Sequence, residues 1–408
     1  MKIKVGVIFG GETVEHEVSI ISAMQAINKL DQEKYEVVPI YITKDREWYT
    51  GDMLRDIDVY QDLNLIKQYG KNVVLYYDKG RYVLQKKNFP RTVVKEIDIA
   101  FPVVHGTNVE DGGLQGYLQS IGIPYVGPNV YAAVVGQDKV YMKDVWAGAG
   151  LPMTKYVWFY DVDYKQDSES VIQKVEKLKY PVIVKPATTG SSVGISVCDD
   201  HDRLVEAIDE AIQYDNKILV EEVVSNLKEV NIAVMGNYEH QKVSEIEEVL
   251  SANKFLTYAD KYIGDGKGKL KGVKGLKSVG PSKGMASANR KLPADLDSKM
   301  RNEIEDIAVK AFKALGSSGN SRIDFLIDDT KHKVYINEIN SIPGSLAFYL
   351  WDAKGVDFSQ MLEEMINIGI KDYKKRVSKT HSFDTNILQG FAAHGGLKGM
   401  KGVKGKLR

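Results

Sequence analysis

The chain has 408 residues, 43% hydrophobic and 27% charged, with 55 basic residues set against 55 acidic ones. That length exceeds what one hydrophobic core usually supports and predicts two or three domains, while zero net charge argues against a dedicated nucleic-acid binder. The single cysteine, Cys198, rules out an intramolecular disulfide and any C-x-x-C metal or redox motif, and it points to a reducing cytoplasm.

The first apolar run, residues 3–9, is too short for a membrane span and lacks a signal-peptide cleavage site. It reads as a strand broken by Gly10-Gly11. Apolar residues at helical spacing follow over 18–30, then a second strand over 35–42, which together make a βαβ unit. A strand over 97–104 ends at His105-Gly106, with a helix over 112–121. An open parallel sheet is the expected arrangement, with its ligand at the edge where the strands end. From Pro128 a second unit is expected, with a helix over 137–147, a strand over 180–184, an apolar alternating run over 194–198 and a helix over 202–214. A strand over 217–224 leads into a third, mixed α+β unit. Its expected elements are strands over 229–235, 243–250, 321–327 and 333–339 and a long helix over 297–315.

Between strand 180–184 and the run 194–198 lies Lys-Pro-Ala-Thr-Thr-Gly-Ser-Ser-Val-Gly, residues 185–194. The strand aims the Lys185 ammonium, and small and hydroxyl residues let backbone N–H groups close around anionic oxygens, which makes a polyphosphate cradle. No Walker motif occurs. The same segment satisfies G-x-S-x-G with Ser192 as a hydrolase nucleophile, but an elbow requires a helix directly afterwards, and the following residues alternate like a strand.

In the third unit, strand alternation places Glu338 and Asn340 on one face and Arg322 and Asp324 at the same spacing on the neighbouring strand. If the two pair, Asp324, Glu338 and Asn340 converge as hard oxygen ligands suited to Mg²⁺. The bland alternative is an exposed polar sheet face. Glu221 ends a strand beside apolar residues, and Lys261 and Tyr262 precede a glycine- and lysine-rich stretch, 267–277, that has a near copy in 395–408. Both stretches are too poor in apolar residues to pack a core and are expected to be mobile.

Taken together, the ordered motifs Gly10-Gly11 through Ser19, His105 through Gly112, Asp138-Lys139, Lys185 through Ser196, Lys261-Tyr262, Arg322-Ile-Asp324 and Asn337 through Asn340 with Pro343-Gly344 resemble the D-alanine:D-alanine ligases of the ATP-grasp superfamily. The resemblance implies a three-domain ATP-grasp fold, α/β and α+β, with an N-terminal open parallel sheet. The units would be 1–127 (substrate), 128–221 (central ATP-grasp), 222–375 (catalytic) and a basic tail, 376–408. It implies a cytoplasmic, ADP-forming ligase that serves peptidoglycan precursor synthesis. ATP would phosphorylate the first D-alanine's carboxylate, and the second D-alanine's amine would attack the acyl phosphate.

By the same resemblance, Lys139, Lys185 and Lys261 would contact phosphates together with Ser192, and Glu221 and Glu229 would reach adenine and ribose. Asp324, Glu338 and Asn340 would hold two Mg²⁺ ions, with Mn²⁺ as an alternative. Arg322 and the Gly344 N–H would face the oxyanion. Glu15, with Val18 and His105, would bind the first substrate, and Glu15, Ser191 and Tyr262 would link to the second; a tyrosine at 262 goes with amine rather than hydroxyl acceptors. Tyr349 stands where the family carries the serine that grips the acceptor carboxylate. A different acceptor therefore stays open, as does a homodimer; no nucleic-acid partner or membrane span is implied.

Overall fold

The computed structural model describes residues 2–190, 193–250 and 290–385, arranged around three sheets. The first contains β1 (Ile3–Gly10), β2 (Tyr35–Ile42), β3 (Trp48–Thr50), β4 (Lys71–Asp78), β5 (Arg81–Lys86), β6 (Val93–Ile97) and β7 (Ile99–Pro102), in the order β6-β5-β4-β3-β2-β1-β7. β1 runs parallel to both β2 and β7. These strands are near-continuous apolar runs, as expected when both sheet faces are covered. An antiparallel ribbon, β3 to β6, extends this parallel nucleus on the β2 side. The expected strand over 97–104 is divided at Asp98, whose carboxylate and N–H both bond the Lys4 backbone. The chain thereby leaves β5 and re-enters the sheet beside β1.

The second sheet holds β8 (Tyr156–Tyr160), β9 (Val182–Pro186), β10 (Ser196–Cys198) and β11 (Lys217–Glu222), in the order β10-β9-β11-β8 and antiparallel throughout. Helices Ser168–Glu176 and His201–Ala211 cover it, and its core of Val175, Val184, Ile208 and Val220 is separate from the others. The helix expected over 137–147 is Lys139–Gly148, and a further helix not expected from the sequence, Val130–Gln137, runs directly into it. Asp138 interrupts them: its extended backbone and its carboxylate, which accepts from the Val140 and Tyr141 N–H groups, start a new helix at Lys139.

The third sheet contains β12 (Leu227–Gly236), β13 (Gln241–Val249), β14 (Arg290–Lys291), β15 (Gly319–Asp328) and β16 (Lys333–Asn340), in the order β14-β13-β12-β15-β16, again antiparallel. Helix Ser298–Ala314 packs on it through Ile304, Ala308 and Phe312. Helix Phe358–Val377 turns back to the first sheet. Trp351, Phe358, Met361 and Ile366 join Val5, Val7, Ile27 and Phe101 in one core. Among the described residues no helix is long and apolar enough to cross a membrane.

Candidate active site

Loops and strand ends from all three sheets line one cavity of about 270 Å³. Of the residues singled out in the sequence, Glu15 and His105 line it from the first unit, Lys139, Lys185 and Glu221 from the second, and Glu229, Arg322, Asp324, Glu338, Asn340, Gly344 and Tyr349 from the third. Val18 is not brought to it; its side chain is buried on helix His16–Lys29. Ser191, Ser192, Lys261 and Tyr262 lie outside the described residues, as do the stretches 267–277 and 395–408.

Glu15 owes its position to the Gly10-Gly11 turn. At Gly10, with φ +90°, a Cβ would sit 2.2 Å from the Ile42 carbonyl oxygen, so only glycine lets the chain turn so close to β2. The Glu15 carboxylate then fits between two further glycines: a Cβ at Gly106 or at Gly190 would meet its Oε2 at 2.8 Å. Gly190 belongs to the cradle loop, so the first and second units meet at this carboxylate.

His105 connects the first unit to the third. Its Nδ1 lies 2.8 Å from the Ile342 carbonyl and therefore carries the proton in that bond, while Nε2 faces the Ser22 hydroxyl at 3.0 Å. Ser22 Oγ in turn accepts from the Ser345 N–H at 2.8 Å. Burial pulls the imidazole below its ordinary pKa, against the nearby Glu15 charge, and favours the neutral ring. Glu110 clamps the same turn: it accepts from Ser341 Oγ and the Ile342 N–H, each at 2.8 Å, and from the Gly106 N–H at 3.0 Å. Burial pushes its carboxyl up to about 7 despite those bonds. The motif carrying Glu110 was visible in the sequence, but its clamping role required partners more than two hundred residues away.

In the second unit Lys139, at the start of its helix, donates its ammonium to the Thr189 carbonyl at 2.7 Å and its backbone N–H to Ala187. Lys185 projects from β9 to Glu221 Oε2 at 2.7 Å, with Asn337 Oδ1 3.5 Å away. The other Glu221 oxygen pairs with Lys143 at 2.7 Å and accepts from Thr154 Oγ1. Burial alone would raise the Glu221 pKa, but the two ammoniums hold it far below the usual carboxylate range. Burial also works against Lys185, yet Glu221 keeps it above its ordinary value, whereas in Lys143 burial prevails and lowers it. Glu221 is thus held between two lysines; Glu222, Val223 and Val224, just beyond it, also line the cavity.

β15 and β16 pair with Arg322 opposite Asn340 and Asp324 opposite Glu338. Arg322 grips Asp324 with two bonds, 2.7 and 2.8 Å, and against the effect of burial this carboxylate raises the guanidinium well above its ordinary pKa. Asn340 Nδ2 donates to Asp324 Oδ2 at 3.2 Å. Among the described residues no group of three or more His, Cys, Asp or Glu side chains forms a ready metal cage. Two carboxylates and one amide oxygen instead suit Mg²⁺ that brings phosphate oxygens with it. The nucleophile-elbow alternative loses its support, because Gly194 is followed by strand β10, paired antiparallel to β9, and not by a helix.

At the far end the Tyr349 hydroxyl donates to Glu247 Oε1 at 2.9 Å, where Asn231 Nδ2 also donates at 3.1 Å. Arg290 Nη1 holds the other oxygen at 2.7 Å, and its guanidinium lies 4.3 Å from the centre of the Tyr349 ring. Glu247, Asn231 and Arg290 were not singled out from the sequence. Each is an ordinary polar residue in a strand and stands out only through its partners, with Asn231 and Glu247 buried and Arg290 half-buried.

Residues 4–128 match the family model described as "D-ala D-ala ligase N-terminus", and residues 145–277 and 282–367 match "D-ala D-ala ligase C-terminus". A protein named D-alanine--D-alanine ligase from Thermosipho melanesiensis is 39% identical over 95% of this chain and 98% of its own length. Its namesake from Natranaerobius thermophilus is 38% identical over 94% and 99%. Among solved structures, the D-alanine-D-alanine ligase from Coxiella burnetii aligns with TM-score 0.76 and 26% identity, covering 96% of this chain and 99% of that one. The VanG D-Ala:D-Ser ligase from Enterococcus faecalis aligns with TM-score 0.73 and 29% identity, covering 90% and 100%.

Proposed function

This chain belongs to the D-alanine--D-alanine ligase family, and from that membership we propose that it joins two D-alanines into D-alanyl-D-alanine with cleavage of ATP to ADP and phosphate. A carboxylate oxygen of the first D-alanine takes the γ-phosphoryl group of ATP. The amine of the second attacks the resulting acyl carbon, and phosphate leaves as the amine gives up a proton. Both steps gather negative charge, so the barrier falls where fixed cations and N–H donors already face it.

One observation carries this reading: Lys139 and Lys185 from one unit and Arg322, Asp324, Glu338 and Asn340 from another share a cavity with Glu15 and His105. In this assignment Lys139 and Lys185 hold phosphate oxygens, joined by Lys261 and Ser192 on the strength of the resemblance alone. Glu229 takes the ribose. Glu221 acts through Lys185, which it orients and keeps protonated. Asp324, Glu338 and Asn340 would hold Mg²⁺, two ions by the resemblance; bound there, the metal would neutralise phosphate charge. Glu15 pairs with the first D-alanine's ammonium, with Ser191 and Tyr262 as its expected partners towards the second. Arg322 and the Gly344 N–H face the oxyanion of the tetrahedral intermediate, and His105 and Glu110 fix the turn that presents Gly344.

The test is to incubate the protein with ATP, Mg²⁺ and D-alanine and to follow phosphate and product mass together. D-alanine-dependent phosphate release matched by the dipeptide is expected. ATP hydrolysis indifferent to D-alanine, or no dipeptide, overturns the reading. Because Tyr349 stands in the usual serine position, D-serine and D-lactate belong in the same acceptor panel.

A further inference from the structure

We propose that Arg290 is the specificity-determining residue for the second substrate and receives its carboxylate, a role that rests on the ligation reading above. The need for such a residue follows from charge. The acceptor arrives as an amino acid and must present its amine to a carbon near Arg322 and Gly344, so its carboxylate points elsewhere in a cavity also lined by Glu15, Glu247, Asp324 and Glu338. A carboxylate placed there without a cation would meet like charge in a partly desolvated space.

The side chain in the family's serine position does not supply the contact. The Tyr349 hydroxyl is directed at Glu247, and the phenol is pushed above its ordinary pKa by burial and by that carboxylate. Arg290 lies against the Tyr349 ring. Glu247 at 2.7 Å and the ring at 4.3 Å both hold the guanidinium, and Glu247 is itself held by Tyr349 and Asn231. A planar guanidinium held in this way has already given up most of its rotamer freedom. It is a fork of donors whose geometry matches a carboxylate. Arg290 lines the same cavity as Arg322 and Gly344 and shares the Tyr349 environment with Arg322. The two arginines divide the work: Arg322 serves the reacting carbon, and Arg290 serves the acid group that does not react.

Arg290→Met tests this in the full chain. Wild-type and variant protein receive ATP, Mg²⁺, D-alanine as donor, and equal D-alanine and D-alaninamide as competing acceptors; the ratio of the two products is read by mass spectrometry. The amide keeps the amine and loses the carboxylate charge. Wild type is expected to favour D-alanine, and Arg290→Met to reduce that preference by about ten- to a hundredfold, the usual worth of one charge-assisted contact. The KM for ATP should stay within about twofold, and Arg290→Lys should fall between the two. If Arg290→Met does not fold, as judged by its melting transition, Arg290→Lys carries the comparison, with a several-fold loss expected. A preference unchanged from wild type in a folded variant overturns the role of Arg290 alone. A wild type that makes no dipeptide overturns the ligation reading and this inference with it.

Discussion

Replacing Glu221 by glutamine strands two ammoniums in a dry interior, and the size of the effect follows from the geometry. Glu221 is 2% exposed and Lys143 1% exposed, and each Lys–Glu contact is 2.7 Å. At an effective dielectric of about 20, one such contact is worth roughly 6 kcal/mol before desolvation. Desolvating three ions takes back most of that. Removing the shared carboxylate leaves the two cations unpaired, for which a loss of about 3–5 kcal/mol is expected. Hydrogen exchange on β9 and β11 reads this as local opening, and protection there should fall by roughly two to four orders of magnitude at neutral pH. Lys143→Met should cost less, because Glu221 keeps Lys185, and combining it with Glu221→Gln should restore part of the protection. The sign with pH is fixed as well. The Glu221 pKa is depressed on folding, so its contribution is complete above the ordinary value of 4.5 and is lost as pH falls through the lower folded value. A loss of protection smaller than about tenfold in Glu221→Gln at neutral pH would refute this account of the three charges.

Two further outcomes follow from neighbouring groups. Glu110 has the opposite shift, from 4.5 to about 7, so its contribution is complete at low pH and is lost as pH rises through about 7. Urea midpoints should show wild type losing roughly 3 kcal/mol relative to Glu110→Gln between about pH 4 and about pH 8, and parallel pH profiles would contradict the shift. Glu338→Gln should raise the Mg²⁺ concentration for half-maximal turnover by about tenfold or more while moving the D-alanine KM little. An unchanged Mg²⁺ titration would remove Glu338 from the metal site.

The sequence is informative where chemistry and period coincide. Strand alternation put Arg322 with Asp324, and Glu338 with Asn340, on one face of each strand, and the pairing of β15 with β16 that this required is present, with a register that only the structure supplies. The apolar run 35–42 reads directly as β2, because a strand covered on both faces tolerates little else. Two kinds of feature escaped. β3 is only three residues long, and β4 carries apolar Val74 and Tyr77 at exposed positions beside buried Val73 and Leu75, so apolar and polar residues do not alternate along it. The buried Lys143 and Glu247 and the half-buried Arg290 have no local signature, since each is defined by partners far along the chain, and Glu110, though its motif is legible, owes its clamping role to equally distant partners. The helix start at Asp138, one residue inside the expected range, lies between these cases: aspartate is a good cap, but only the carboxylate bonds to Val140 and Tyr141 distinguish a cap from a solvated face.

The return of helix Phe358–Val377 to the first sheet also bears on biosynthesis. The residues that complete this core, Trp351 through Ile366, are translated more than two hundred positions after Phe101. While the ribosome makes the intervening units, the apolar surface these residues will cover has no native cover, and such exposure during synthesis invites association with other nascent chains. The middle sheet, whose core is drawn from residues 159–220, can close as soon as it emerges. The order of maturation is therefore not the order of translation: the segment made first is finished last.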